Sequence, residues 1–300
     1  MRLTVIVPAT NDPPTLARCL RAIGSADASP EEAVVIREPP GAGPAAARNA
    51  GAAEACGDVL VFVDADVVVH GDAFRRIRAA FEADPGLAAL FGSYDDSPPA
   101  PGVVSGFRNL LHHHVHQCSP GPATTFWAGL GAVRRDVFLS VGGFDAVRYP
   151  RPSIEDVELG VRLDEAGARI ELDPELRGTH LKAWSLAEMV RTDFARRGVP
   201  WIELLLEGRG PRSALNLGPR HRASAAASLA LAAALAARRP RAAALGALIL
   251  VALNRDLYAL VARRRGPLEA AASVGLHAVH HLAAAAAVPA GVAARLRGHR

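Results

Sequence analysis

Two carboxylates one residue apart, Asp64-Ala65-Asp66, follow the apolar run Val59–Val63. Acids at i and i+2 at the end of a buried strand repel each other and call for a cation. Hard oxygen ligands of this kind suit Mg²⁺ or Mn²⁺, ions that also bind substrate phosphates. A strand-end pair capping the next turn is the plainer reading, and the spacing alone does not choose. Arg48-Asn49-Ala50-Gly51 lies in a small-residue segment that opens after the turn Gly41-Ala42-Gly43-Pro44. A helix starting there offers free N–H groups and a guanidinium fork for phosphate. A surface arginine on the same helix is the alternative. Ser153-Ile154-Glu155-Asp156 sets two acids where a helix begins and its dipole favours negative charge. They serve the helix end, or one is a general base near the Asp64/Asp66 cation.

A fourth group is Thr179-His180-Leu181-Lys182, whose His180 and Lys182 alternate on one face of an extended segment. Lys182 is the only lysine in a chain that otherwise uses arginine. Lysine is a compact point charge for phosphate, and histidine a metal ligand. The run His112-His113-His114-Val115-His116 invites a zinc site, but no carboxylate or cysteine completes a ligand set nearby. It reads as the lining of an acceptor cleft or as a plain helix surface.

The elements that must position these residues follow from periodicity. Leu3–Val7, Ala33–Ile36, Val59–Val63 and Leu87–Phe91 are short, continuous apolar runs. Helical spacing connects them over 13–23, 45–55 and 73–83, with Asp72 placed to cap the third helix. Strands alternating with helices predict a mostly parallel sheet covered on both faces. Ligands of such sheets bind beyond the carboxyl ends of the strands, which puts Pro8–Asp12, Glu38 and Asp64–Asp66 on one rim. Further on, the pattern predicts helices over 107–116, 135–141 and 154–166, and strands over 126–133 and 169–172. The short first run, ending at Pro8, does not read as a signal peptide.

Composition narrows the class. Half of the 300 residues are hydrophobic, which excludes a disordered chain. Three unpaired cysteines, Cys19, Cys56 and Cys118, exclude a disulfide scaffold and fit a reducing compartment. The net charge of +4 hides a division. Residues 1–207 carry 20 basic and 28 acidic side chains, whereas 208–300 carry 14 arginines against Asp256 and Glu269. A boundary near Gly210-Pro211 separates a domain over 1–209 from an Ala/Arg-rich helical region over 210–300.

In that order, these segments resemble the family-2 glycosyltransferases of the GT-A fold. Thr4-Val-Ile-Val-Pro8-Ala-Thr-Asn resembles the opening strand and nucleotide loop. Arg48-Asn-Ala-Gly51, followed by Gly57 through Asp64-Ala-Asp66, is similar to the stretch that runs into the DXD metal motif. Phe126-Trp127-Ala-Gly129 and Gly142-Gly143-Phe144-Asp145 resemble the acceptor-side strand and turn, and Glu155-Asp156 the acidic pair. The resemblance covers residues 1–205. It implies a metal-dependent inverting transfer of a sugar from a nucleotide-sugar donor to an acceptor hydroxyl on a lipid or cell-envelope glycan. Pro8, Thr10, Glu38, Arg48, Asp64 and Lys182 would then hold the donor. Asp64, Asp66 and His180 would hold Mg²⁺ or Mn²⁺. Asp156, with Glu155 beside it, would be the base, and Trp127, Gly129, Phe144 and Asp145 would shape the acceptor side. Arg37-Glu38-Pro39-Pro40 departs from the family's Asp-Asp-Gly-Ser run, and Arg196-Arg197-Gly-Val-Pro-Trp201 only loosely echoes the processive synthases' Gln-x-x-Arg-Trp.

Residues 223–237, 242–262 and 268–292 are Ala-rich apolar runs edged by arginines, among them Arg238, Arg239, Arg241 and the Arg295–Arg300 end. They predict helices that span a membrane, lie on it, or pack as a soluble bundle. Membrane attachment with the catalytic domain on the cytoplasmic side fits the arginines. Long apolar runs between the arginines exclude a nucleic-acid stripe. A nucleotidyltransferase is the competing enzyme, but Pro8-Ala-Thr-Asn-Asp-Pro-Pro lacks the glycines and base of that class's first loop. A non-catalytic membrane scaffold is the other alternative, and the acids and His180 weigh against it.

Overall fold

A computed structural model describes residues 1–210, 215 and 218–298 of the chain. Pro211 and Arg300 lie outside these residues. The chain divides into two compact units, and neither is continuous in sequence. The first holds Met1–Asp95 and His116–Leu181; the second holds Asp96–Val115, Lys182–Gly210 and the helices from Pro219 onward. A single cut near 210 therefore does not describe the packing. Apolar side chains at Phe107, Leu110, Leu111 and Met189 form one core with Leu257, Leu260 and Val261, which draws their segments to the C-terminal helices.

The first unit is a sheet with helices. Its strands are β1 (Leu3–Pro8), β2 (Glu32–Ile36), β3 (Val59–Val63), β4 (Val67–Val69), β5 (Leu87–Tyr94), β6 (Gly121–Ala123), β7 (Leu130–Arg134) and β8 (Arg169–His180). They run in the order β2-β1-β3-β7-β5-β8-β4, with β6 on β8. The sheet is mixed. β1 pairs in parallel with β2 and β3, and β5 with β8, but β7 enters between β3 and β5 antiparallel to both. The first four apolar runs thus supply parallel pairs, and later strands reverse direction. Helices α1 (Leu16–Ser25), α2 (Pro44–Glu54), α3 (Ala73–Ala83), α5 (Arg135–Ser140) and α6 (Glu155–Glu165) complete the unit. On one face Val5, Val7, Val61 and Val63 pack with Leu16, Ile23, Phe74 and Ile77. The other buries rings, with Phe62 against Phe126, Phe138 and Phe144 at 6.4, 5.5 and 5.2 Å. Burial on both sides is why the strands are continuously apolar. Asp72 does not cap α3 but pairs with Arg76 at 2.6 Å.

Two strands depart from expectation, and both bear on the site. The predicted strand over 126–133 begins only at Leu130. The predicted strand over 169–172 continues to His180. Asp173-Pro174-Glu175 reads locally as a turn, but here it is a bulge. Phe91 faces Leu172 and Ser93 faces Arg177, so the residues between bow out opposite Gly92.

In the second unit α4 (Val103–Gln117, up to Val115), α7 (Leu186–Arg191), a π-helical turn (Thr192–Gly198) and α8 (Val199–Leu206) join α9 (Pro219–Ala236), α10 (Pro240–Leu253), α11 (Arg255–Arg265) and α12 (Pro267–Gly298). Arg108 pairs with the buried Asp193 at 2.7 Å, and Asp193 also meets His280 at 2.8 Å. The expected single run over 242–262 is two helices meeting at an 81° bend. Among the described residues, one helix, Pro267–Arg297, is by itself long and apolar enough to cross a membrane.

Candidate active site

β3 ends at Val63, and the chain crosses through Asp64-Ala65-Asp66 to β4, which leaves β3 and pairs with β8. This crossing lifts both carboxylates off the sheet edge. It is pinned at both ends, as Asp64 N–H donates to Gly129 O at 3.1 Å and Leu181 N–H donates to Asp66 O at 2.8 Å. The antiparallel register sets Val67 opposite His180. Imidazole Nε2 of His180 therefore stands 3.4 Å from Asp66 Oδ2. Tyr94, at the end of β5, stacks on the His180 ring with centroids 4.1 Å apart and planes 5° apart, and its edge meets Trp127 at 4.8 Å. Tyr94 carries no motif, because the bulge in β8 is what brings it to His180.

Arg48 does not present its fork to solvent. α2 buries it, and its Nη2 donates to Asp64 Oδ1 at 2.6 Å while Nη1 donates to Glu155 Oε1 at 3.0 Å. Its guanidinium also lies 5.4 Å over the Phe144 ring. Both Nη groups are engaged by carboxylates. Burial opposes its charge, but Asp64, Glu155 and Asp156 outweigh burial and hold its pKa above the ordinary value. For Asp64 burial pushes the carboxyl up, Arg48 pulls it down, and Asp66 and Glu155 push it up again; the net direction is upward. Four carboxylates thus face one arginine and one imidazole, and the excess negative charge favours a cation. Cys19 backs the crossing with its Sγ 3.6 Å from Asp64 O, and its thiol is pushed up to about 12, chiefly by burial and then by Asp64 and Asp66.

The two acids of α6 divide their work. Glu155 is buried, with Oε2 accepting from Ser153 N–H at 2.8 Å and Oε1 held by Arg48. Asp156 is half-buried, and its Oδ2 accepts from Ala128 N–H at 3.3 Å. Gly160 permits this approach. A Cβ there would stand 2.2 Å from Phe126 N and 2.4 Å from the Thr125 carbonyl carbon, so only glycine lets α6 lie against that chain. Gly160→Ala is expected to cost about 1–3 kcal/mol, the range for overpacking, as a lowered thermal midpoint. An unchanged midpoint would show that α6 rides free of residues 125–126.

The remaining predicted residues fall into place around this centre. Pro8 ends β1 opposite Ile36, and Thr10 donates from Oγ1 to Ala42 O at 2.5 Å and accepts at its carbonyl from Gly41 N–H. These bonds tie the loop after β1 to the loop after β2, where Glu38 is exposed. Gly129 lies under Trp127, and a Cβ there would be 2.4 Å from its ring. Phe144 is buried, and its backbone is clasped by Asn49 at 2.8 and 2.9 Å. Asp145 caps its own turn by accepting from Arg148 N–H at 2.9 Å. Lys182 belongs to the other unit, where its ammonium is paired with Glu188 at 3.0 Å and lies 4.1 Å over Trp184. His116 of the histidine run is buried, with Nδ1 2.8 Å from Gly92 O and its ring 5.4 Å from Trp127.

Among the described residues, no group of three or more His, Cys, Asp or Glu is arranged to hold a metal alone. Mg²⁺ and Mn²⁺ do not require one. Such ions take one or two protein carboxylates and complete their shell with substrate phosphate and water. Asp66 and His180 fit that class.

Residues 23–141 match the family described as Glycosyl transferase family 2. The match takes in 119 of the 300 residues. The chain is 30% identical, over 152 residues, to the pre-mycofactocin glycosyltransferase of Mycobacterium tuberculosis in each of two strains. The alignment covers 47% of this chain and 30% of the relative, so it spans under a third of the curated protein's length. Among solved structures, the mannosyltransferase PcManGT from Pyrobaculum calidifontis, in complex with GDP-Man and Mn²⁺, superposes with a TM-score of 0.54 at 21% identity. It covers 94% of this chain and 87% of its own. At that identity the likeness is one of fold, and the fold is GT-A. The expected fold is found, and residues 23–141 match the expected family's model.

Proposed function

We propose that the chain transfers a sugar from a nucleotide-sugar donor to an acceptor hydroxyl, inverting the anomeric carbon. The observation that carries this reading is the carboxylate set around Arg48 beside the Asp66–His180 pair, with Asp156 turned to the acceptor-side chain at Ala128. Asp66 and His180 would hold Mg²⁺ or Mn²⁺, which when bound neutralises charge on the leaving diphosphate. The joined loops at Pro8, Thr10 and Glu38 would receive the nucleotide, and Asp64, oriented by Arg48, would contact the ribose or lie beside the ion. Asp156 takes the proton of the acceptor hydroxyl. The freed oxygen attacks the anomeric carbon from the side opposite the diphosphate, whose bond breaks with its electron pair on the leaving oxygen. Trp127 and Gly129 shape the acceptor side. PcManGT, solved with a nucleotide sugar and Mn²⁺, supports the donor class and the ion.

The acceptor is a lipid or a cell-envelope glycan, and the enzyme works at the cell membrane with its catalytic unit on the cytoplasmic side. The apolar helices and edging arginines of the second unit support this. Thermal-shift screening of nucleotide sugars with and without Mn²⁺ tests the donor reading. One donor is expected to raise the melting temperature, and Mn²⁺ to enlarge the shift. No shift with any nucleotide sugar would overturn it.

A further inference from the structure

We propose that Tyr94 is a positioning residue, whose ring face fixes the plane of the His180 imidazole so that Nε2 is presented to the same cation as Asp66. The inference rests on the ion reading proposed above and adds a residue to it. An imidazole binds a cation through a lone pair in the plane of its ring. A ligand histidine must therefore be turned correctly as well as placed correctly. The register of Val67 opposite His180 sets the backbone, and Nε2 stands 3.4 Å from Asp66 Oδ2. Register does not set the ring. The second side-chain torsion of histidine is broad, with no staggered well to hold it. A neighbour in contact with the ring must do so, and Tyr94 is in contact with its face.

The two rings lie 4.1 Å apart between centroids and 5° from parallel. Carbon atoms in best contact are about 3.5–4.0 Å apart, so the faces touch. Turning the imidazole about its Cβ–Cγ bond drives one edge into the phenol. Both side chains are buried, so neither ring swings out to solvent. The neighbouring pairs Tyr94–Trp127, His116–Trp127 and Phe91–His116 meet edge-on, at 86°, 85° and 75°. Aromatic rings favour such edge-on or offset meetings. The parallel pair is therefore set by the backbone that carries it.

That backbone is clamped on both sides. Tyr94 is the last residue of β5 and lies opposite Gly178 of β8. Asp95 N–H donates to Gly178 O at 2.9 Å. The Asp95 carboxylate accepts from Thr179 Oγ1, and the same oxygen stands 3.0 Å from His70 Nε2. These bonds join the end of β5 to the two residues before His180 and to the residue after β4. The bulge in β8 shifts the pairing from Phe91–Leu172 to Ser93–Arg177, which delivers His180 beside the end of β5. The edge of Tyr94 is closed by Trp127 at 4.8 Å, and Trp127 is backed by His116 at 5.4 Å. With both backbones held, the torsion of the imidazole is the remaining variable, and the face of Tyr94 restricts it. The face does this rather than the hydroxyl, so phenylalanine should serve as well.

Electron paramagnetic resonance of the full chain, with Mn²⁺ alone as the probe, provides the test. The unaltered chain should bind the ion and show, in pulsed spectra, the nitrogen-14 modulation of a ligating imidazole. His180→Gln should remove that modulation. Tyr94→Leu should weaken Mn²⁺ binding by on the order of tenfold or more, the range for losing a group that orients a ligand histidine. It should also shrink the modulation. Tyr94→Phe should match the unaltered chain in both readouts. If Tyr94→Leu does not fold, Tyr94→Met fills the same space without a flat face and takes its place in the comparison. Undiminished affinity and modulation in Tyr94→Leu, or a loss in Tyr94→Phe equal to that in Tyr94→Leu, overturns the positioning role and leaves the ion reading standing. An unaltered chain that binds no Mn²⁺, or whose modulation survives His180→Gln, overturns the ion reading itself.

Discussion

Arg48→Met should be the most destabilising single substitution in the catalytic unit. The guanidinium is buried between Asp64 and Glu155, at 2.6 and 3.0 Å. Methionine fills much of the volume but strands two carboxylates against each other. Removing one partner from a buried ionic group costs about 3–5 kcal/mol, because the remaining charge is left desolvated. In a unit of this size that lowers the melting temperature by on the order of 10 °C. Arg48→Lys should recover only part of it, since one ammonium cannot hold two carboxylates in a planar fork. The deficit should narrow as pH falls, because protonating the stranded acids removes the unpaired charge. A shift of Arg48→Met within a degree or two of the parent would show that the triad contributes no stability.

Asp156→Asn should abolish most sugar transfer while leaving donor binding intact. The amide keeps the size and shape of the side chain but cannot accept a proton. A positioned general base contributes about 10²–10⁴-fold, so kcat should fall by that factor. The dissociation constant for the nucleotide sugar, measured without acceptor, should stay within about twofold, since Asp156 contacts Ala128 rather than the donor loops. Glu155→Gln separates the two acids of the motif. Its defect should be one of stability, because both Glu155 oxygens are bonded within the fold. Full turnover by Asp156→Asn would remove Asp156 from the mechanism, and equal kcat losses for both variants would dissolve the division of labour between them.

Much of this protein is legible in its order of residues. Buried strands announce themselves as runs such as Val59–Val63, because a strand covered on both faces admits no polar residue. Asp64, Asp66, Asp156 and His180 stand out by falling, in order, in the segments that resemble one family, since local structure alone can account for a strand-end or helix-start acid. The family motifs follow in order, and the fold class follows from them.

What the three-dimensional structure alone decided concerns groups that meet across long stretches of chain. Arg48 and Glu155 are separated by 107 residues, and no local pattern says that the arginine faces carboxylates rather than phosphate. β8 hides its last residues behind Asp173-Pro174-Glu175, which reads as a turn until pairing with β5 turns it into a bulge. Gly160 is an unremarkable helix residue until the backbone of Phe126 arrives against it. The C-terminal third makes the same point. Composition picks out α12 as an apolar helix, and only packing shows its His277 and His280 bonded to Tyr258 and Asp193. Composition and period are properties of a segment, fixed by its own side chains. Burial, ion pairing and close backbone approach are properties of two segments at once, and only the folded chain brings both together.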